Sequence, residues 1–230
     1  MKTLHVLDQL LRNPRTFAAD VIERGEAQTV ARHLVQIIVI GCALFGVSVG
    51  LYRGGLQVAY AAIKFPLVML LTAGITTPAV LATRWIVARR FDPPRDVLIV
   101  LSALALISVV AAAETPVLLL AILYGVGYHP LALVMAGLLA TAAAAGLWLF
   151  VKSLDGAGRG LVTAVLVVAF CVIGSRSAWV MRPWLVRPKS PEPEFIRAVE
   201  GDLIDALGTS MDSTMGHYER DSAPLPRRQP

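Results

Sequence analysis

RGGLQVAYAAIKFPLVMLLTAGITTPAVLATRW, residues 53 to 85, is the stretch whose reading decides the fold. Two glycines open it, Lys64 and Arg84 bracket its centre, and no charged side chain falls between Phe65 and Thr83. A helix rising about 1.5 Å per residue needs about 20 residues to cross about 30 Å of hydrocarbon, and this run has that length. It reads as a transmembrane helix. Pro66 falls in the first turn, where proline is tolerated. Pro78 falls deep inside, where it removes a backbone donor and crowds the carbonyl of Gly74, so a bend is expected there. Thr72, Thr76 and Thr77 lie within a turn of that break and are the candidates to satisfy the freed backbone groups.

The rest of the chain has the same character. Hydrophobic residues make up 56% of it and charged ones only 16%, with a mean hydropathy of +0.66, whereas a soluble domain carries about 25% charged residues. The charges collect in short breaks between apolar runs. The first such run starts after 33 residues of mixed polarity with no charged segment abutting it, so from Leu34 onward it reads as an uncleaved signal anchor and not as a secretory signal. The formal charge of +5 is the ordinary basic excess of a polytopic protein, carried by its inner loops. No nucleic-acid partner is expected. Cys42 and Cys171 each fall inside an apolar run and read as small packed hydrophobes, not as a disulfide or metal pair. The bias toward arginine and alanine hints at a bacterial source, which makes a bacterial inner membrane the expected location.

The expected architecture is all-α: a polytopic transmembrane bundle of five spans plus a re-entrant or interfacial segment. Residues 1–33 form a cytosolic or interfacial lead-in, with Leu4, Leu7, Leu10 and Leu11 at helical spacing before Asn13-Pro14 breaks the pattern. The spans are expected at about 34–52, 65–83, 97–113, 131–151 and 160–181. Cys42, Gly46 and Gly50 recur four apart on the first span, a small-residue stripe that lets helix backbones approach closely. Gly137, Thr141 and Ala145 make a similar face on the fourth. Between the third and fourth spans, residues 116–130 (PVLLLAILYGVGYHP) are apolar but short, interrupted by Gly125 and Gly127 and closed by proline. That segment is expected to be re-entrant or interfacial. Residues 182–230 read as a proline-rich linker, an amphipathic helix at 194–207 and a polar, disordered tail.

Arg84, Arg89, Arg90 and Arg95 concentrate in one short loop, which the positive-inside rule places in the cytosol together with the N-terminus. Five spans then bring Lys64, Glu114, His129 and Arg176 toward the outer membrane face. A carboxylate beside cations at that boundary is expected to pair, because an isolated charge there is costly. A structural ion pair of Glu114 with Arg176 or Lys64 is the favoured role, and a solute or proton site is the other. Six spans, counting 116–130 as one, would put Glu114 and Arg176 on opposite sides.

Arg12-Asn13-Pro14-Arg15-Thr16-Phe17, the five spans with tightly joined early members, and Tyr124-Gly125-Val126-Gly127-Tyr128-His129-Pro130 together resemble the Yip-type (Ypt-interacting-protein-like) family of five-span proteins, above all its bacterial members. Lys64-Phe65-Pro66 and the segment from Gly174 to Pro183 are similar to parts of other bacterial membrane proteins of like layout. The similarity covers roughly residues 10–185. It implies a cytosolic N-terminus, five spans, no catalytic residues and a scaffolding or membrane-organising role. Eukaryotic relatives work with small GTPases in vesicle traffic, and no residue here carries that partner over. The chain departs from the family in its proline-rich linker and amphipathic tail.

The parts of an enzyme are missing from the sequence. It has no HExxH and no glycine-rich phosphate loop, and His5, His33, His129 and His217 are scattered. No cofactor and no metal are expected. The leading expectation is an integral scaffold or accessory subunit embedded in the lipid bilayer, with a membrane-protein partner or a second copy of itself. The alternative is a small oligomeric permease or channel with its polar site near Glu114 and Arg176, since broken helices often build transport sites.

Overall fold

The structure of the chain, a computed structural model, describes residues 3–13, 16–89, 91–154 and 160–172 without 166 and 169, and the isolated positions 208, 211, 212, 214 and 215. Two short helices, α1 (Thr3–Arg12) and α2 (Phe17–Glu23), precede four long ones: α3 (Ala27–Leu51), α4 (Leu56–Ala88), α5 (Pro93–Leu123) and α6 (Tyr128–Ser153). No strand occurs among the described residues. The four long helices are each long and apolar enough to cross a membrane, and the chain is an all-α membrane protein. A shorter apolar helix at Gly160–Val172 follows. The remainder of the fifth span expected at 160–181, the linker and the amphipathic helix expected at 194–207 lie outside the described residues.

Each long helix outruns the apolar segment that announced it. Helix α3 starts at Ala27, not Leu34, because Gln28, Thr29, Arg32 and His33 continue the helix with their side chains outside the apolar stretch. Helix α4 likewise covers Arg84, which the loop reading excluded. The largest difference concerns residues 116–130. Helix α5 is a single helix of 31 residues that runs through Pro116 to Leu123, so a separate re-entrant segment does not form there. Proline removes one hydrogen bond from a helix interior, and the Pro116 ring sits on an exposed side of the helix.

The glycines of that stretch end one helix and allow the next to start. Gly125 takes a left-handed φ of 69°, its N–H donates to Ile122 O at 3.0 Å, and the next N–H, of Val126, donates to Ala121 O at 3.1 Å. This is a Schellman stop. Helix α6 then begins at Tyr128 with Pro130 in its first turn, where no intrahelical N–H is needed. The same device closes α2, with Gly25 at φ 69° and bonds from Gly25 N to Ile22 O and Glu26 N to Val21 O.

Short turns at 52–55, 89–92 and 124–127 join consecutive long helices and make them antiparallel neighbours. Helix α5 is the centre, packed against α3, α4 and α6. Glycine governs how closely its neighbours approach. A Cβ built on Gly46 would stand 2.5 Å from Ala61 O, and one on Gly50 would stand 2.5 Å from Val58 Cα, both main-chain atoms of α4. Gly41 sits the same way against α5, with Ser108 O at 2.6 Å. Phe45 of α3 meets Phe65 of α4 edge to face, centroids 5.3 Å apart. Val6 and Leu10 of α1, and Phe17, Ala18 and Val21 of α2, join the same buried core as the long helices, so the lead-in docks on the bundle through α3 and α5.

Pro78 lies inside α4 without ending it. The nearby threonines do not turn to the Gly74 carbonyl: Thr72 Oγ1 donates to Val68 O at 2.7 Å, Thr77 Oγ1 to Ala73 O at 2.6 Å, and Thr76 Oγ1 to Thr72 O. Each hydroxyl bonds back to the carbonyl four residues before it, the arrangement a helical threonine reaches from its own rotamer.

Candidate functional site

Charge in an apolar bundle survives where geometry gives it a partner, so the buried polar side chains mark the sites worth attention. At the end of the bundle where α4 meets α5, Arg84 and Asp96 form a salt bridge with side chains only 4% and 1% exposed. Helix ends build this pair. Arg89 takes a left-handed φ of 51° to cap α4, Asp92 Oδ1 accepts a hydrogen bond from Arg95 N, and Pro93 and Pro94 occupy the first turn of α5. The chain therefore returns within four residues and sets Asp96 beside Arg84. In the sequence both belonged to a loop of solvated charges, and only their position flanking apolar runs pointed to a shared helix end.

The second site lies farther along α5. Glu114 is about 13 Å from the C-terminal end of that helix at 1.5 Å per residue, well inside its apolar length. Its Oε1 accepts a hydrogen bond from Thr141 Oγ1 of α6, and Thr141 Oγ1 also approaches Leu138 O at 2.8 Å. Glu114 Oε2 is buried with no hydrogen-bond partner among the described residues. Thr141 stands about 20 Å from the start of α6, near its middle. The continuous course of α5 through residue 123 places Glu114 there, and not at a helix end.

The other residues of the expected polar cluster are not drawn together at this point. His129 occupies the first turn of α6, its ring edge to face with Tyr128 at 5.2 Å, about three turns from Thr141. Lys64 is buried in α4, its Nζ 6.0 Å from the Tyr60 ring centroid. Arg176 lies outside the described residues. Thr141 was visible in the sequence only as a member of a small-residue face. On that face Gly137 has nothing within 4 Å of its Cβ position, whereas Gly146, on another side of α6, packs against Ala103 O at 2.7 Å and the Ile107 side chain.

A cavity of about 140 Å³ opens between α4, α5, α6 and the Gly160–Val172 helix. Thr76, Ala103, Ile107, Gly146, Phe150 and Phe170 are among the residues lining it. Among the described residues lining it the one hydroxyl, that of Thr76, is already bonded to Thr72 O, so those walls suit hydrocarbon. Among the described residues no three His, Cys, Asp or Glu side chains gather to hold a metal ion. Compared with known protein families, curated proteins and solved structures, the chain matches none.

Proposed function

We propose that the chain is a multi-pass integral protein of a bacterial inner membrane that serves as a scaffold or accessory subunit, without chemistry of its own. In this reading its outer helix faces hold a membrane-protein partner or a second copy. The observation that carries it is the unequal cover of the long helices. The most apolar window of α5 is 67% buried, but those of α4 and α6 are 33% and 28% buried. The closely packed seams around Gly41, Gly46 and Gly146 hold the centre together, and two long apolar faces remain for lipid or for another helix.

A photo-crosslinking residue at Trp148, exposed on α6, tests this in intact membranes. A discrete crosslinked complex containing the chain, reproduced after purification in mild detergent, is the expected result. Crosslinks to lipid alone, from Trp148 and from exposed α4 positions such as Ile75, contradict it.

The Glu114–Thr141 pair favours a second reading, a small oligomeric permease. Flux of protons or small solutes through proteoliposomes that disappears with Glu114→Gln would support it over the scaffold.

A further inference from the structure

The apolar cavity between α4, α5, α6 and the Gly160–Val172 helix has a shape as well as a volume. Val100, Ala103, Leu104 and Ile107 line it from α5, a stripe at helical spacing that spans about 10 Å along the helix. Ala143, Gly146, Leu147 and Phe150 line it from α6 over the same length. It is a slot parallel to the helix axes. Its depth agrees on three walls: Val100 lies about 10 Å from the start of α5, Phe150 about 5 Å from the end of α6, and Val167 about 10 Å from Gly160. The slot therefore belongs to the half of the bundle that holds the 89–92 turn. Cys171, both a wall of the slot and exposed, marks its opening on the lipid side.

The sequence of α6 accounts for the void. From Ala142 to Gly146 no side chain exceeds a methyl group. Gly146 brings α6 onto Ala103 O of α5, and the alanines beside it are too small to fill the space toward Phe170. Protein interiors seldom leave room for more than a water molecule, and this slot of about 140 Å³ is far larger. An apolar cavity of about that size stays dry and accepts an apolar guest. In a bilayer the apolar guest at hand is a lipid tail. The end of the slot nearest the turn is also basic. On the helices that line it, Arg89 is exposed in the turn, Arg95 precedes Val100, and Lys152 follows Phe150. The two acids of that end serve the protein itself: Asp96 pairs with Arg84, and Asp92 Oδ1 accepts from Arg95 N at 3.4 Å. Basic clusters at the ends of membrane helices attract acidic headgroups.

We propose that the slot is a lipid-binding site, which takes one acyl chain of an acidic phospholipid from the leaflet on the side of the 89–92 turn and sets the headgroup beside Arg95 and Lys152. The tail fills the space that the alanines of α6 leave open. The site holds for a scaffold or a permease alike.

The unaltered full chain tests it in phosphatidylcholine vesicles containing phosphatidylglycerol with a diazirine in one acyl chain. Irradiation is expected to label Leu104 and Ile107, walls of the slot that are otherwise buried. An excess of plain phosphatidylglycerol is expected to reduce that labelling several-fold more than phosphatidylcholine or a free fatty acid does. Labels confined to outward residues such as Trp148 and Val168 overturn the site, and equal competition by all three lipids overturns the acidic phospholipid. Ala143→Leu fills the slot and is expected to cut the labelling of Leu104 and Ile107 several-fold, whereas Ala140→Leu, exposed elsewhere on α6, is expected to leave it unchanged. Labelling that persists in full in Ala143→Leu contradicts the site.

Discussion

Replacement of Gly46 by alanine adds one methyl group at one of the two closest points of the α3–α4 seam. Its Cβ would lie 2.5 Å from Ala61 O, 2.8 Å from Ala61 C and 3.0 Å from Ala62 Cα. All three are main-chain atoms, so no rotamer change relieves the contact. Ordinary van der Waals contact begins at 3.4 Å, which requires α4 to retreat by about 0.9 Å at that point. The retreat also loosens the ring contact of Phe45 with Phe65, one turn away on α4. Overpacking of this kind costs about 1–3 kcal/mol, and the better helix propensity of alanine returns about 0.5–1 kcal/mol. A net loss of about 1–2 kcal/mol is expected. Gly74→Ala is the matched control, because nothing lies within 4 Å of its Cβ position and the propensity gain stands alone. The assay is unfolding of the full chain in bicelles by steric trapping, with both variants side by side. If Gly46→Ala proves as stable as Gly74→Ala, the close backbone approach of α3 and α4 is wrong.

The Arg84–Asp96 pair is expected to lose about 3–5 kcal/mol with Arg84→Met alone, since the change strands a buried carboxylate. The double variant Arg84→Met with Asp96→Leu is expected to recover most of that, and equal losses in single and double variants in the same unfolding assay would contradict a buried pair. Leu10→Ala removes a wholly buried contact of α1, worth about 2–5 kcal/mol, and is expected to speed tryptic cleavage after Arg12. Leu11→Ala is expected to leave that cleavage rate unchanged, because Leu11 is 51% exposed. Pro78→Ala supplies the N–H that the Gly74 carbonyl lacks, and the exposed Pro78 ring fills no buried space. Its expected effect in thermal unfolding is neutral or stabilising, and a clear loss would show that the proline shapes α4.

The class of the fold was legible in the sequence because hydrocarbon imposes it. Runs such as Phe65–Thr83 have few alternatives to a helix long enough to cross a membrane. The helix ends were less legible, because a helix continues past the point where its side chains turn polar, as Gln28 to His33 and Arg84 do. Pro116 misled for a related reason. Proline stops a helix when the surroundings offer something else to bond, and in an apolar bundle the helix is the cheaper state even with one hydrogen bond missing. Gly125 carried the real stop signal, readable through its spacing from Pro130. Small residues showed that helices pack closely but not which of them touch: Gly46 and Gly50 face α4, while Gly41 and Gly146, outside the expected stripes, make contacts as close. The Glu114–Thr141 pair depends on the register between two antiparallel helices joined by four residues. Once the course of α5 is known that register is fixed, but no local pattern in either helix announces it.

The sidedness of three turns tests the account most directly. Single cysteines at Arg53, Phe91 and Tyr124, each in a Cys42→Ala/Cys171→Ala background, are treated with an impermeant thiol reagent on sealed vesicles. Four antiparallel crossings require Arg53 and Tyr124 to react from one side and Phe91 from the other. Labelling of Arg53 and Tyr124 from opposite sides would mean that α4 and α5 do not both cross the membrane, and Phe91 on the same side as Tyr124 would show that α5 is the one that fails to carry Glu114 across.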